Sequence, residues 1–303
     1  MSIKSILCVF SGERHDLNAL GTAFAIRQEC RARLRILHIA APPILAAETL
    51  GIGGYGFAAY GGGTAVEVLE RDARELHDEA LRLSREWAEK NGLGLEVEDI
   101  PPSAKGRDAV VFRTRIGSPA ECLNAEGRTV DLIVAGFNNQ ADGDQETIRA
   151  GLYQTGRPLL LLPRTPGAVL SHAGLADTGF PDTVALAWDG SLSAGRAMRD
   201  ALPFLLRAKD VYVLMAEEDG KYPAQGHQAD VMGYLESHGI FPECLHMPQG
   251  GGVGPRLLEK SAGLGAGLLV MGAYGRGHVG EALLGGATRH VLQHSRIPLL
   301  LSH

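Results

Sequence analysis

Residues 268–301 read LLVMGAYGRGHVGEALLGGATRHVLQHSRIPLLL. The stretch opens on four apolar residues that stop at Gly272, the pattern of a strand buried on both faces. Glycines follow at 272, 275, 277, 280, 285 and 286, and Ala287-Thr288-Arg289-His290-Val291-Leu292 then reads as a helix. Pro298 opens a second apolar strand. A strand that runs into a glycine-spaced loop and then a helix is suited to holding phosphates. Bare glycines let main-chain N–H groups approach an anion, and the helix N-terminus adds the positive end of its dipole. The competing reading is a tight turn whose glycines serve only the backbone; the joint spacing favours a ligand.

Composition sets the frame for that loop. A chain of 303 residues is long enough for two domains or one large one. Apolar residues at 45% and charged residues at 21% suit a soluble globular protein. A net charge of −6 argues against a dedicated nucleic-acid binder, though not against a nucleotide held by main-chain amides. Cys8, Cys30, Cys122 and Cys244 lie far apart with no C-x-x-C pair, which points to reduced thiols rather than zinc or disulfides. No signal-peptide pattern precedes residues 3–9 and no apolar run reaches the length of a membrane span. The expectation is a cytoplasmic protein with neither membrane nor nucleic-acid partner.

Outward from the C-terminal stretch, the chain reads as one pattern written twice. In the first half, strands are expected at 3–10, 34–40, 95–100, 131–136 and 158–163. Helices are expected at 17–31, over the charged segment 64–91, and from Ser118-Pro119, where Ser118 is the N-cap. In the second half, strands fall at 183–189, 211–216, 241–246, 268–272 and 298–301, with helices at 191–206, 225–238 and from Gly254-Pro255. Strands alternating with helices imply right-handed crossovers and a parallel sheet covered on both faces. The Pro- and Gly-bearing stretch 164–181 is the linker between domains at 1–165 and 180–303. The glycine-rich segment 51–63, with Tyr55, Phe57 and Tyr60, reads as an insertion, with a lid or an apolar contact surface as the alternative.

These residues resemble the universal stress protein family in its tandem form. The family pattern G-x2-G-x9-G-[S/T] appears as Gly272, Gly275 and Gly285, with Gly286 where the pattern has Ser or Thr. Trp188-Asp189-Gly190-Ser191 and Leu37-His38-Ile39 add to the likeness. The implied fold is α/β, two tandem doubly wound five-stranded parallel sheets of order 3-2-1-4-5, adenine nucleotide alpha hydrolase-like. Ligands of such sheets sit outside the strands' carboxyl ends, where the order reverses. The resemblance implies ATP or AMP in the second domain, with Mg²⁺ as an optional companion, in a stress-response protein that senses or signals. Asp189 would accept from adenine or ribose, with Ala187, Trp188, Met215 and Ala216 along the adenine edge. Gly272, Gly275, Arg276 and Gly277 would line the ribose and first phosphates, and Gly285, Gly286, Ala287 and Thr288 would donate to the phosphate chain. The halves would pack as an intramolecular pseudo-dimer, with a further homodimer left open.

The first half departs from this pattern. Asn139 replaces the second glycine, Ser11 stands where the second half has Asp189, and Asp142, Asp144 and Glu146 would repel phosphates. It is expected not to bind ATP in the family manner. Several residues have plainer readings: Asp189 as an N-cap, Arg276 as a surface charge, His38 as a core histidine. His278, His290 and His294 lie near the loop, and His290 and His294 could share a helix face, yet no third ligand is placed by sequence, so no metal is expected. No nucleophile elbow, H-E-x-x-H or P-loop lysine is present, so at most slow ATP hydrolysis is expected. Two alternatives remain: a non-nucleotide scaffold or apolar-ligand protein with a vestigial loop, and a slow ATPase using Asp189 and a metal.

Overall fold

The computed structural model describes residues 2–40, 62–97, 110–138, 142–164, 179–216, 225–247, 250–273 and 286–303. In the first half these form β1 (Ser5–Val9), α1 (Leu17–Cys30), β2 (Arg33–Ala40), α2 (Gly62–Lys90), β3 (Leu95–Val97), β4 (Val110–Ile116), α3 (Pro119–Glu126), β5 (Leu132–Phe137), α4 (Asp142–Gln154) and β6 (Leu159–Pro163). The second half follows with β7 (Thr183–Ala187), α5 (Leu192–Leu205), β8 (Asp210–Ala216), α6 (Gln225–Ser237), β9 (Glu243–Met247), α7 (Val253–Gly263), β10 (Leu268–Gly272), α8 (Gly286–His294) and β11 (Leu299–Ser302).

All these strands join one sheet in the order β3-β4-β2-β1-β5-β6-β11-β10-β7-β8-β9. The second half has the expected 3-2-1-4-5 order, as β9-β8-β7-β10-β11. The first half has the same order as β4-β2-β1-β5-β6, with β3 added at its outer edge. Pairing is parallel within each half; between the halves β6 and β11 run antiparallel, with Leu160 opposite Leu300. Two sheets become one because each half would otherwise leave an apolar strand, LLLLP or LLLS, as an open edge.

One strand differs from the sequence reading. The segment beside β2 is β4, and Leu95–Val97 only extends the sheet beyond it. Arg113 and Arg115 interrupt β4's apolar run, so it reads as a loop in sequence. In the fold their charge is met by a carboxylate from α3.

Helices cover both faces. Leu20 and Ile26 of α1, Ala80 and Leu83 of α2, and Ala201 and Phe204 of α5 share one core cluster. Leu123 of α3, Ile148 of α4, Leu257 of α7 and Val291 of α8 share the other. The long helix α2 is amphipathic as expected: Ala80, Leu83 and Ala88 are buried, while Arg82 pairs with Glu79 and Glu86 at the surface. Ser118 caps α3 through a capping box with Glu121. Residues 51–61 lie outside the described residues; Gly62 and Gly63 begin α2. The four cysteines are free thiols, and burial raises the pKa of each. Among the described residues no helix is long and apolar enough to cross a membrane.

Candidate functional site

In the second half the order reverses between β7 and β10, which lie side by side with Val184 opposite Leu268. Trp188 leaves β7 and donates its main-chain N–H to the Leu214 carbonyl at 2.9 Å, which sets it beside the end of β8. Its side chain is half-buried, and the indole Nε1 is buried with no hydrogen-bond partner among the described residues. Gly190, at φ 74°, turns the chain into α5, a conformation that favours glycine. Asp189 is exposed, and its Oδ1 accepts from the Ser191 N–H at 2.9 Å. The N-cap of α5 is therefore Ser191, whose Oγ accepts from the Ala194 N–H at 3.2 Å. Through that bond Asp189 braces the turn before it. The Met215 side chain is fully buried, and Ala216 is half-buried at the end of β8.

Gly272 has a packing role independent of any ligand. A Cβ there would stand 2.6 Å from the Ala194 nitrogen and from the Ser193 carbonyl carbon, so a bare residue is what lets α5 lie on the end of β10. Gly286 opens α8 and is exposed; a Cβ there would meet nothing within 4 Å among the described residues. Ala287 is half-buried and Thr288 buried. Their N–H groups, in the first turn, have no intrahelical carbonyl to donate to. Gly275, Arg276, Gly277, Gly285 and His278 lie outside the described residues. The fold thus gathers Ala187, Trp188, Asp189, Met215, Ala216 and Gly272 at adjoining strand ends, and places Gly286, Ala287 and Thr288 at a helix N-terminus.

The same place in the first half is filled. Phe10 donates to the Leu37 carbonyl at 2.9 Å as Trp188 does to Leu214, and Gly12, at φ 94°, matches Gly190. Asp16 holds the N-cap position of α1 yet makes no side-chain cap bond. Its carboxylate is fully buried and turned to the strand ends, where Oδ2 accepts from the Ser11 N–H at 3.0 Å. Arg164, immediately after β6, donates from Nε to Asp16 Oδ1 at 2.5 Å and from Nη2 to Oδ2 at 2.9 Å. Its Nη1 reaches both Asp144 oxygens, at 2.5 and 2.6 Å. Burial alone would lower the Arg164 pKa; the hydrogen bond and charge of Asp16, with Asp144, raise it instead, so it stays charged. A Cβ on Gly136, the counterpart of Gly272, would stand 2.1 Å from Asp16 Oδ1. From the opposite side, α2 lies on Gly12, where a Cβ would be 2.9 Å from that of Ala80.

Sequence reasoning missed this triad, taking Arg164 for the start of a linker and Asp144 for a free repelling charge. Asp16 and Arg164 are 148 residues apart, and no local pattern couples them. It also missed a charge cluster under α3. There the buried Glu126 accepts from Arg35 Nη1 at 2.8 Å, Arg113 Nη1 at 2.8 Å and Arg115 Nε at 2.7 Å. Burial would raise the Glu126 pKa, but these guanidinium contacts hold it below its ordinary value. His38 is a core histidine as expected, its Nδ1 3.1 Å from the Phe10 carbonyl and its Nε2 buried without a partner among the described residues. His290 and His294 stack at 4.1 Å, and His294 Nδ1 lies 2.9 Å from the His290 carbonyl.

Residues 249–303 match the profile of the Universal stress protein family, a span that contains the whole stretch from Gly272 to Thr288. No curated protein matches the chain by sequence. Among solved structures, a universal stress protein from Archaeoglobus fulgidus DSM 4304 is similar over 99% of this chain and 96% of its own, at a TM-score of 0.65 and 16% identity. A protein from Pseudomonas aeruginosa UCBPP-PA14 assigned to the same family matches at a TM-score of 0.55 and 16% identity, over 99% of this chain and 93% of its own. A functionally unknown protein from Pseudomonas aeruginosa PAO1 matches at a TM-score of 0.56 and 15% identity, over 99% of this chain and 92% of its own. Identities this low speak for the fold, and the profile match speaks for the C-terminal region. Residues 249–303 place that region in the universal stress protein family, and the chain as a whole has the tandem fold of these proteins.

Proposed function

We propose that the second half, residues 180–303, is an adenine-nucleotide-binding domain holding ATP or AMP at the switch point between β7 and β10. The observation that carries the reading is the unequal filling of two equivalent places among the described residues. The first half answers its strand ends with two aspartates and one arginine, a net negative charge that repels phosphates. The second half offers the exposed Asp189, the half-buried Trp188 and the first turn of α8. The glycine spacing supports the same reading, as does the family match that spans it. In this reading the first half, residues 1–165, is a degenerate partner, and the β6–β11 pairing supports an intramolecular pseudo-dimer. The role proposed is sensing or signalling in a cytoplasmic stress response, by binding rather than turnover, with Mg²⁺ beside the phosphates where ATP is the ligand.

Calorimetric titration of the full chain with ATP, ADP and AMP tests it. Asp189→Ala, which removes a charged acceptor of about 1.5–3 kcal/mol, should weaken binding roughly tenfold or more. Gly275→Val should block the phosphate path. Gly286→Ser restores the family hydroxyl where a Cβ meets nothing within 4 Å among the described residues, and should tighten binding several-fold, about 1 kcal/mol. Unchanged affinity in all three variants would refute the placement. Release of inorganic phosphate above background, lost in Asp189→Ala, would make the protein an ATPase instead.

A further inference from the structure

We infer that Arg164 is a plug held in cis: the chain's own guanidinium occupies the switch point of the first half and keeps it closed to diffusible ligands. The contact uses the whole fork. Nε and Nη2 engage the two oxygens of Asp16, and Nη1 engages Asp144, which leaves the group fixed in plane and orientation. The bed beneath is shaped for it. Gly136 is bare where a Cβ would stand 2.8 Å from Arg164 Nε, and Asp16, at the N-cap position, is turned from its helix toward the guanidinium. Ser191, the residue before α5, caps its own helix in the ordinary way.

The occupant is also tethered. The Arg164 main-chain N–H donates to the Phe137 carbonyl at 2.8 Å, extending the β5–β6 ladder, so the guanidinium is delivered at high effective concentration. The plug therefore ties the β1–α1 turn, the end of β5 and α4 to the end of β6, the strand that joins the halves. None of this depends on what the second half binds.

Thermal unfolding of full-length Arg164→Ala, with and without millimolar n-propylguanidinium, tests the plug. The substitution should lower the unfolding midpoint. Propylguanidinium should raise it again in a saturable way, propylammonium should do so far less, and the rescue should vanish in Asp16→Asn/Arg164→Ala. Absence of rescue, equal rescue by both cations, or rescue that survives Asp16→Asn would overturn the inference. Should Arg164→Ala fail to fold, Arg164→Lys keeps the charge without the fork. Amide exchange at Ser11 and Asn138, whose N–H groups donate to Asp16 and Asp144, should then quicken by about tenfold while that at Trp188 stays unchanged. Unaltered exchange at Ser11 and Asn138 would equally overturn it.

Discussion

Asp16 precedes α1 and Ser191 precedes α5, Asp16 four residues beyond Gly12 and Ser191 one beyond Gly190, and much of what separates the two switch points follows from where those side chains turn. Ser191 satisfies an N–H of its own helix and leaves the strand ends beside it to Asp189 and Trp188. Asp16 turns away from its helix and holds Arg164 across the same strand ends. A duplicated doubly wound sheet thus keeps its strand order while the chemistry at its switch point is rewritten by a few side chains. The scaffold is maintained by apolar strands buried on both faces, which do not depend on what lies at their ends. A second contrast runs under the third helices. The first half buries Glu126 among three arginines, whereas the strand register places Tyr212, Leu245 and Met247 of the second half at the positions of those arginines.

The largest effect should come from Glu126→Ala. It withdraws a shared carboxylate from the buried Arg113, and breaking a buried pair in this way costs about 3–5 kcal/mol in denaturant unfolding. A loss below about 1 kcal/mol would mean the cluster is dispensable and the contrast superficial. Next comes Gly272→Ala, which pushes a methyl into the backbone of α5 and should cost about 1–3 kcal/mol. Gly286→Ala, where a Cβ meets nothing within 4 Å among the described residues, is the control and should be close to neutral. Ser191→Ala removes a cap worth about 1 kcal/mol. Asp16 makes no cap bond, so loss of its carboxylate should be felt through Arg164 rather than through helix fraying.

The last difference is one of pH response. Burial lowers the pKa of His38, its bond to the Phe10 carbonyl opposes this, and His77 lowers it further; the counterpart in β8 is Met215. The unfolded chain therefore takes up a proton that the folded chain resists. Stability from this group is whole above the ordinary imidazole value of 6.5 and falls as pH drops below it toward the depressed folded value. His38→Met should flatten the acid limb of a stability-against-pH curve; an unaltered slope would remove His38 from the account.

The alternation of strands and helices was legible because parallel strands covered on both faces are continuous apolar runs, as in LIVAGF and LLVMG. β4 was not, because its arginines are intelligible only once Glu126 arrives from α3. The glycine loop was legible as a motif, yet the resemblance set Gly272 beside the ribose and first phosphates when contact with α5 already requires it to be bare. The joining of the halves through β6 and β11 had no local sign beyond two leucine runs. The plug was illegible altogether: an ion pair across 148 residues leaves no mark on either segment.

The number of nucleotides bound per chain separates an open second half from a closed first. Saturating the purified full-length protein with ATP and measuring bound nucleotide by native mass spectrometry should give one per chain, lost in Gly275→Val and kept in Asp16→Asn. Two per chain, or one that survives Gly275→Val and disappears with Asp16→Asn, would contradict the assignment of an open second half and a closed first.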